Sequence, residues 1–353
     1  MDVVDTAEDA AALELPPLVV REPLEAFLDA HAIGRGRVEA ERIGEGHSNI
    51  TFLVRRGDAR VVLRRPPRPP LPPSAHDVLR EARLLRALEG TPVRVPRVLA
   101  VGDDETVLGV PFYVMEEMHG SVHASQVPPV HDTQEERGRT SEELVDALVE
   151  IHNVDWESCG LEGYGKPTGY LERQVRRFTG LWEHNKTREL EVVEELGDWL
   201  RDNMPESPES TIVHGDYRLG NVMMAPEAPA RIVAIFDWEM ATIGDPLADM
   251  GYLCALWTQH DDPYGGLREH LGKVTRLEGF PTRDELVQRY AEKSGREVGD
   301  LRWYVTLAVW KSIVFMEGNY KRAVSGSTDD PYLKQFGDGV IELSERAEEL
   351  ITA

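Results

Sequence analysis

IVHGDYRLGNVMM (212–224) and IVAIFDWEMATIGDPLADMG (232–251) decide how this chain is read. Each opens on a short apolar run of strand character and delivers carboxylate and amide side chains at its C-terminal end. Asp216 and Asn221 stand five positions apart on the loop after the first run, and Asp237 closes the apolar run 232–236 sixteen residues after Asn221. Any single Asp in a loop is ordinarily a turn former or a helix cap. Four features in one order within forty residues are harder to explain that way: HGD, D-x-x-x-x-N, a strand ending in Asp, and GDPLAD.

The spacing suits phosphoryl transfer, in which a metal with hard oxygen ligands neutralises the terminal phosphate. Asn221 and Asp237 are the candidate Mg2+ ligands. Asp216, left out of the metal shell, is the candidate to orient the attacking hydroxyl and receive its proton.

Upstream, IGEGHSN (43–49) lies between two strand-like runs. Gly46, Ser48 and Asn49 could bring backbone N–H groups close to phosphate oxygens, and a plain hairpin turn explains them equally well. ARVVLR (59–64) reads as a strand whose last four residues fill the V-A-I-K slot, with Arg64 where Lys is expected. Arg65 is the alternative occupant. Ser74 with Asp77 resembles a capping pair opening a helix through Leu88. Glu81 on that helix is either the acidic partner that holds Arg64 or a solvated surface carboxylate.

HGDYRLGN (214–221) and FDWEMATIGDPLAD (236–249) resemble the aminoglycoside-phosphotransferase and choline-kinase type of small-molecule kinase. VLRRPP (62–67) and SNITFLV (48–54) resemble, within that superfamily, the kinase-like domain that some larger proteins carry fused to acyl-CoA dehydrogenases. The resemblance spans roughly residues 35 to 320. It implies a two-lobed α+β fold of protein-kinase type, with about five antiparallel strands and one helix in a small lobe and a larger, mainly helical lobe. It implies ATP as nucleotide, with GTP as an alternative, and adenine bonded to hinge backbone near Glu116 and Met118 at the end of a strand expected over 110–118. Asp249 would brace the catalytic loop; capping of the following helix is the other reading. Trp238-Glu239 after Asp237 departs from the protein-kinase form.

Composition sets outer limits. The 353 residues can bury two cores, and 63 acidic against 39 basic residues give a formal charge of −24. That sign repels nucleic acid and anionic lipid surfaces, so neither is an expected partner. Two cysteines, Cys159 and Cys254, without metal-ligand spacing suggest neither a disulfide framework nor a zinc site. The longest apolar stretch, Trp303 to Met316, is interrupted by Lys311 and too short for a bilayer, and the first twenty residues are acidic where a secretory signal is basic. A cytoplasmic protein, monomer or homodimer, acting on a hydroxylated small molecule is expected.

In order along the chain, residues 1–36 are read as a flexible acidic arm and a helix, 37–118 as the nucleotide-binding lobe and 119–353 as the catalytic and substrate-binding lobe. Helices are expected at Ser141 to Asn153, Leu247 to Trp257 and Leu301 to Met316. His152 is expected to be a packing histidine. Arg173, Arg176 and Arg177 form a basic face that would meet an anionic acceptor if it lines the cleft, and says nothing if it faces water. Two rival readings remain open. One is a phosphohydrolase with His214, Asp216, Asp237 and Asp245 as metal ligands; the other is a nucleotide-binding module without turnover.

Overall fold

A computed structural model of the chain describes residues 1–44, 49–69, 76–207, 209–263, 272–326 and 331–352. The expected phosphate-loop residues Gly46 and Ser48, and the expected capping residue Ser74, lie outside the described residues. The backbone forms two compact units, Met1–His119 with Asp237–Glu239, and Gly120–Phe236 with Met240–Ala353.

The first unit begins with β1 (Val3–Val4), which pairs in parallel with β2 (Val19–Val20) around the short helix α1 (Ala7–Ala11). Then come α2 (Arg21–Ala30) and a five-stranded sheet of β3 (Glu39–Ile43), β4 (Ile50–Arg56), β5 (Ala59–Arg65), β6 (Val98–Gly102) and β7 (Phe112–Glu116). The order is β3-β4-β5-β7-β6, with every neighbour antiparallel. Helix α3 (Val78–Leu88) buries Val78, Glu81, Ala82, Leu84, Leu85 and Leu88; its N-cap is Asp77, which accepts from the Arg80 N–H at 3.0 Å. Between β6 and β7 the chain makes a helical turn, α4 (Glu105–Leu108), because Asp104 accepts from the Thr106 N–H at 2.9 Å and caps it. β7 also starts and ends two residues inside the expected 110–118.

The N-terminal arm is not a loose extension. Leu18 and Val19 are fully buried in one core with Leu24, Leu28, Phe52, Val61, Leu63, Phe112 and Val114. Strand pleating explains this layer: Val61, Leu63 and Arg65 share one face of β5, so Arg65 runs under the arm and donates to the carbonyls of Leu18, Leu108 and Pro66. Burying a Leu or Phe of this kind contributes about 1.5–3 kcal/mol, so a few such residues suffice to dock the segment. Val62 and Arg64 point to the opposite face.

In the second unit, α5 (Gln134–His152) begins seven residues earlier than the expected Ser141, since the Thr133 hydroxyl caps it by accepting from the Glu136 N–H at 3.2 Å. After α6 (Tyr170–Asn185) and α7 (Glu191–Asp202), two antiparallel ribbons follow. One pairs β8 (Thr211–Val213) with β11 (Thr242–Gly244), the other β9 (Val222–Met224) with β10 (Ile232–Ile235). Helix α8 (Leu247–Leu256) packs on the long helix Arg302–Val324, which buries Trp303, Tyr304, Leu307, Trp310, Ile313 and Val314. The two helices approach closely at Gly251, where a Cβ would stand 2.5 Å from the Tyr304 Cβ. Among the described residues no helix is long and apolar enough to cross a membrane.

Candidate active site

Within the first unit, Arg64 ties three segments together. Its Nε donates to Glu81 Oε2 at 2.9 Å and its Nη2 to Asp237 Oδ1 at 2.8 Å. Pleating separates the two adjacent arginines, because β5 aims Arg64 at α3 while Arg65 serves the opposite face. Glu81 is 2% exposed and therefore no surface carboxylate, whereas Asp237 keeps 36% of its side chain accessible. Burial pushes the Glu81 carboxyl up and the Arg64 guanidinium opposes it. Burial would lower Arg64 itself, and the charges of Glu81, Tyr113 and Asp237 outweigh that, so the guanidinium is held charged. Tyr113, opposite Arg64 in the sheet register, is buried and pushed up by that burial and by Glu81.

Asp237 adopts φ 64°, a left-handed conformation uncommon for any residue but Gly, Asn and Asp. Asn49 is buried and its Nδ2 donates to Glu239 Oε2 at 3.1 Å, while its Oδ1 has no partner among the described residues. At the end of β7, Glu116 is bonded to Arg97 through its N–H (3.0 Å, to the carbonyl) and its carboxylate (2.8 Å, from the N–H); Met118, two residues on, is partly buried.

Within the second unit, the loop after β8 is pinned from below. Asp249 Oδ2 accepts from the His214 N–H at 2.6 Å and Oδ1 from the Gly215 N–H at 2.8 Å. Asp249 is in turn 3.3 Å from His152 Nε2, and His152 Nδ1 is 2.7 Å from the Tyr290 hydroxyl. Burial would raise the Asp249 carboxyl; His152, His214 and the Gly215 N–H outweigh it and hold it low. Burial holds His152 low despite Asp249, so it is a neutral imidazole donating from Nε2. Gly215 has φ 86°, and a Cβ there would meet the Met240 carbonyl oxygen at 3.0 Å.

Above this brace stands Asp216, with 23% of its side chain exposed and Arg218 Nε 3.4 Å from its Oδ1. Asn221 Nδ2 donates to both the carbonyl and the Oδ2 of Asp216, each at 2.8 Å. The amide nitrogen is thereby engaged, and Oδ1 is the atom left for a cation. The Asn221 carbonyl accepts from the Phe236 N–H at 2.9 Å. Arg64, Glu81 and Asp237 thus form one cluster, and Asp216 with Asn221 another.

Two proposed metal ligands of the hydrolase reading are otherwise engaged. His214 Nε2 is 2.9 Å from the Phe236 carbonyl and its Nδ1 accepts from the Asp216 N–H at 3.2 Å. Asp245 accepts from the Leu247 N–H at 2.9 Å and from the Tyr304 hydroxyl at 2.8 Å. Among the described residues no group of three or more His, Cys, Asp or Glu could hold a metal. Sequence reasoning missed Tyr113, Tyr290, Tyr304 and Glu239, whose contacts cross long sequence separations. It also missed Arg218, which a two-residue spacing from Asp216 could have flagged.

Residues 39–286 match the model of the phosphotransferase enzyme family (APH). The chain is 31% identical to mouse acyl-CoA dehydrogenase family member 10 over 100% of its own length and 33% of that protein's. It is 30% identical to human acyl-CoA dehydrogenase family member 11 over 88% of its length and 40% of that protein's, so it spans well under half of these relatives. A crystal structure from Ralstonia eutropha JMP134, provisionally named an aminoglycoside phosphotransferase, superposes with TM-score 0.81 at 31% identity, covering 94% of this chain and 98% of that one. A structure of aminoglycoside phosphotransferase APH(4)-Ia with AMP-PNP and hygromycin B shares the fold at TM-score 0.61 and 17% identity, covering 94% and 98%. By its match over most of its length, this chain belongs to the phosphotransferase enzyme family.

Proposed function

We propose that the protein transfers the terminal phosphate of ATP, with GTP as an alternative, to a hydroxyl of a small molecule in a Mg2+-dependent reaction. The observation that carries this reading is the Arg64 fork between Glu81 and Asp237. A nucleotide site needs a cation fixed against phosphate oxygens beside a carboxylate reserved for metal, and a simple hydrolase gives that fork no task. Solved relatives are described with AMP-PNP, ADP or GDP bound, which supports nucleotide use here.

As ligand types, the accessible Asp237 carboxylate and the Asn221 amide oxygen are the hard donors that magnesium takes. When bound, the ion would neutralise charge on the phosphates. Arg64 contacts the nucleotide phosphates, Glu81 fixes its angle, and Glu116 to Met118 receives the base. Asp216 accepts the proton of the attacking hydroxyl as the new P–O bond forms and the bond to the nucleoside diphosphate breaks. Arg218 and the Asn221 amide hold the Asp216 carboxylate in its orientation. The acceptor is an aminoglycoside-like polyol, an amino alcohol, or a hydroxy acid or its CoA ester. The enzyme works in the cytoplasm as a monomer or homodimer, where its free thiols Cys159 and Cys254 stay reduced.

The test is incubation of the full chain with γ-labelled ATP, Mg2+ and a small-molecule extract. A labelled organic product that disappears with EDTA supports the reading; release of inorganic phosphate from simple esters without ATP would favour the hydrolase.

A further inference from the structure

Helix α6 and the long helix Arg302–Val324 share an aromatic seam in the second unit. Phe178 is buried there, with Phe315 edge-on at 5.1 Å and Trp310 at 6.3 Å between ring centroids. Two cations flank the Phe178 ring: Lys311 Nζ lies 5.0 Å from its centroid and the Arg177 guanidinium 5.9 Å. Phe315 remains 41% exposed, so the seam opens to solvent at this edge. The basic face 173–177 is not uniform, since Arg173 turns back to the carbonyls of Lys166 and Thr168 and leaves Arg177 beside Lys311.

What sets Lys311 apart is its lack of a counter-ion. Among the described residues it has no carboxylate within ion-pair distance and no hydrogen-bond acceptor, although the chain carries 63 acidic residues. Lys186 in the same unit is held by Glu183, Glu189 and Glu194. The Phe178 face offsets part of the desolvation of Lys311 but accepts none of its three N–H bonds in the plane where an oxygen would sit. Burial pulls its pKa down to about 8; Asp249 opposes this, Arg177 adds to it and Asp216 opposes it. The helix that carries Lys311 packs on α8, whose Asp249 holds the His214 and Gly215 N–H groups of the loop that leads to Asp216.

We propose that Lys311, assisted by Arg177, is a subsite for an oxyanion of the phosphate acceptor, a carboxylate or a phosphate, with Phe178 and Phe315 as its apolar wall. This inference rests on the phosphotransferase reading and selects within it. The acceptor is anionic and carries some apolar surface next to its charge. A cationic polyol would meet two like charges here and be rejected.

The full chain, γ-labelled ATP and Mg2+ are supplied with a small-molecule extract split on anion-exchange resin into unretained, weakly retained and strongly retained fractions. Label is expected in a retained fraction; the weakly retained one identifies a carboxylate and the strongly retained one a phosphate source. Product from the unretained fraction alone overturns the subsite while leaving phosphotransfer intact. No product from any fraction removes the phosphotransferase reading and this inference with it. On the active fraction, Lys311→Met should raise the acceptor KM about 10- to 100-fold with the KM for ATP unchanged, and Lys311→Arg should recover most of the loss. Removing an unpaired, half-buried charge should leave the melting temperature of Lys311→Met the same or higher. An unchanged acceptor KM, or a fall in melting temperature with ATP and acceptor affected alike, contradicts the assignment and marks Lys311 as a packing residue.

Discussion

Arg64 Nη2 donates to Asp237 Oδ1 at 2.8 Å, so the carboxylate proposed as a magnesium ligand already has a guanidinium on one oxygen. Lys, a point charge on a flexible stem, could not hold Glu81 and Asp237 with one planar group, so Arg in this slot is a geometric choice. Arg64→Ala is expected to weaken ATP binding about 10- to 100-fold, measured by calorimetry with Mg2+ present, and Arg64→Lys to fall between it and the parent. Glu81→Ala should additionally lower thermal stability, because it leaves a mostly buried guanidinium with Asp237 alone. Wild-type nucleotide affinity in Arg64→Ala would remove the residue from the nucleotide site.

Asp249→Ala should be among the most damaging changes outside the reacting groups. It strips the acceptor from the His214 and Gly215 N–H groups and from His152 at once. Each buried donor left unmade costs about 1–3 kcal/mol, so a loss of about 3 kcal/mol or more is expected in urea unfolding. Asp249→Ala with an unchanged unfolding midpoint would show that the loop holds itself.

Gly215→Ala tests the same loop from the backbone side. With φ 86° and the Met240 carbonyl 3.0 Å from the new methyl, the loop must shift or strain. A cost of about 1–3 kcal/mol is expected, read as a lower melting temperature. If the melting temperature is unchanged, the left-handed turn is not required there.

Two histidines give stability an acid limit. His152 is held low by burial, and His123 is pulled down to about 4 by burial and by His131. The unfolded chain protonates both near pH 6.5 while the folded chain does not, so the unfolded state binds more protons between those values. Stability is therefore full above about pH 6.5 and declines as pH falls toward 4. Melting temperature followed across this range should drop, and His123→Phe should flatten the slope; a flat wild-type profile would contradict the burial of neutral imidazoles.

Much of the fold was legible because its signals are local. The apolar runs of β4, β5 and β7 and the helix that follows Asp77 depend on neighbours in sequence. What escaped depends on distance along the chain. The arm looked loose because its acidic composition hid Leu18 and Val19, which fit only once β5 presents Val61 and Leu63 to them. Helix α5 was shortened because Thr133 and Glu136 sit in a polar run with no apolar stripe. Asp216, Asn221 and Asp237 stand out as a motif, whereas Tyr290 reaches His152 across 138 positions and Tyr304 reaches Asp245 across 59, distances at which spacing carries no signal. Lys311 registered only as a break in an apolar stretch, and its neighbours become visible only when α6 is laid beside it.

The most direct test of Asp216 as the proton acceptor is the rate of label transfer from γ-labelled ATP to the active acceptor fraction, compared between wild type and Asp216→Asn at saturating ATP. The substitution preserves shape and the neighbouring Asn221 contact but removes the base. A fall in kcat of about 10²- to 10⁴-fold with ATP affinity retained is expected. Equal rates from the two proteins would mean that Asp216 takes no proton.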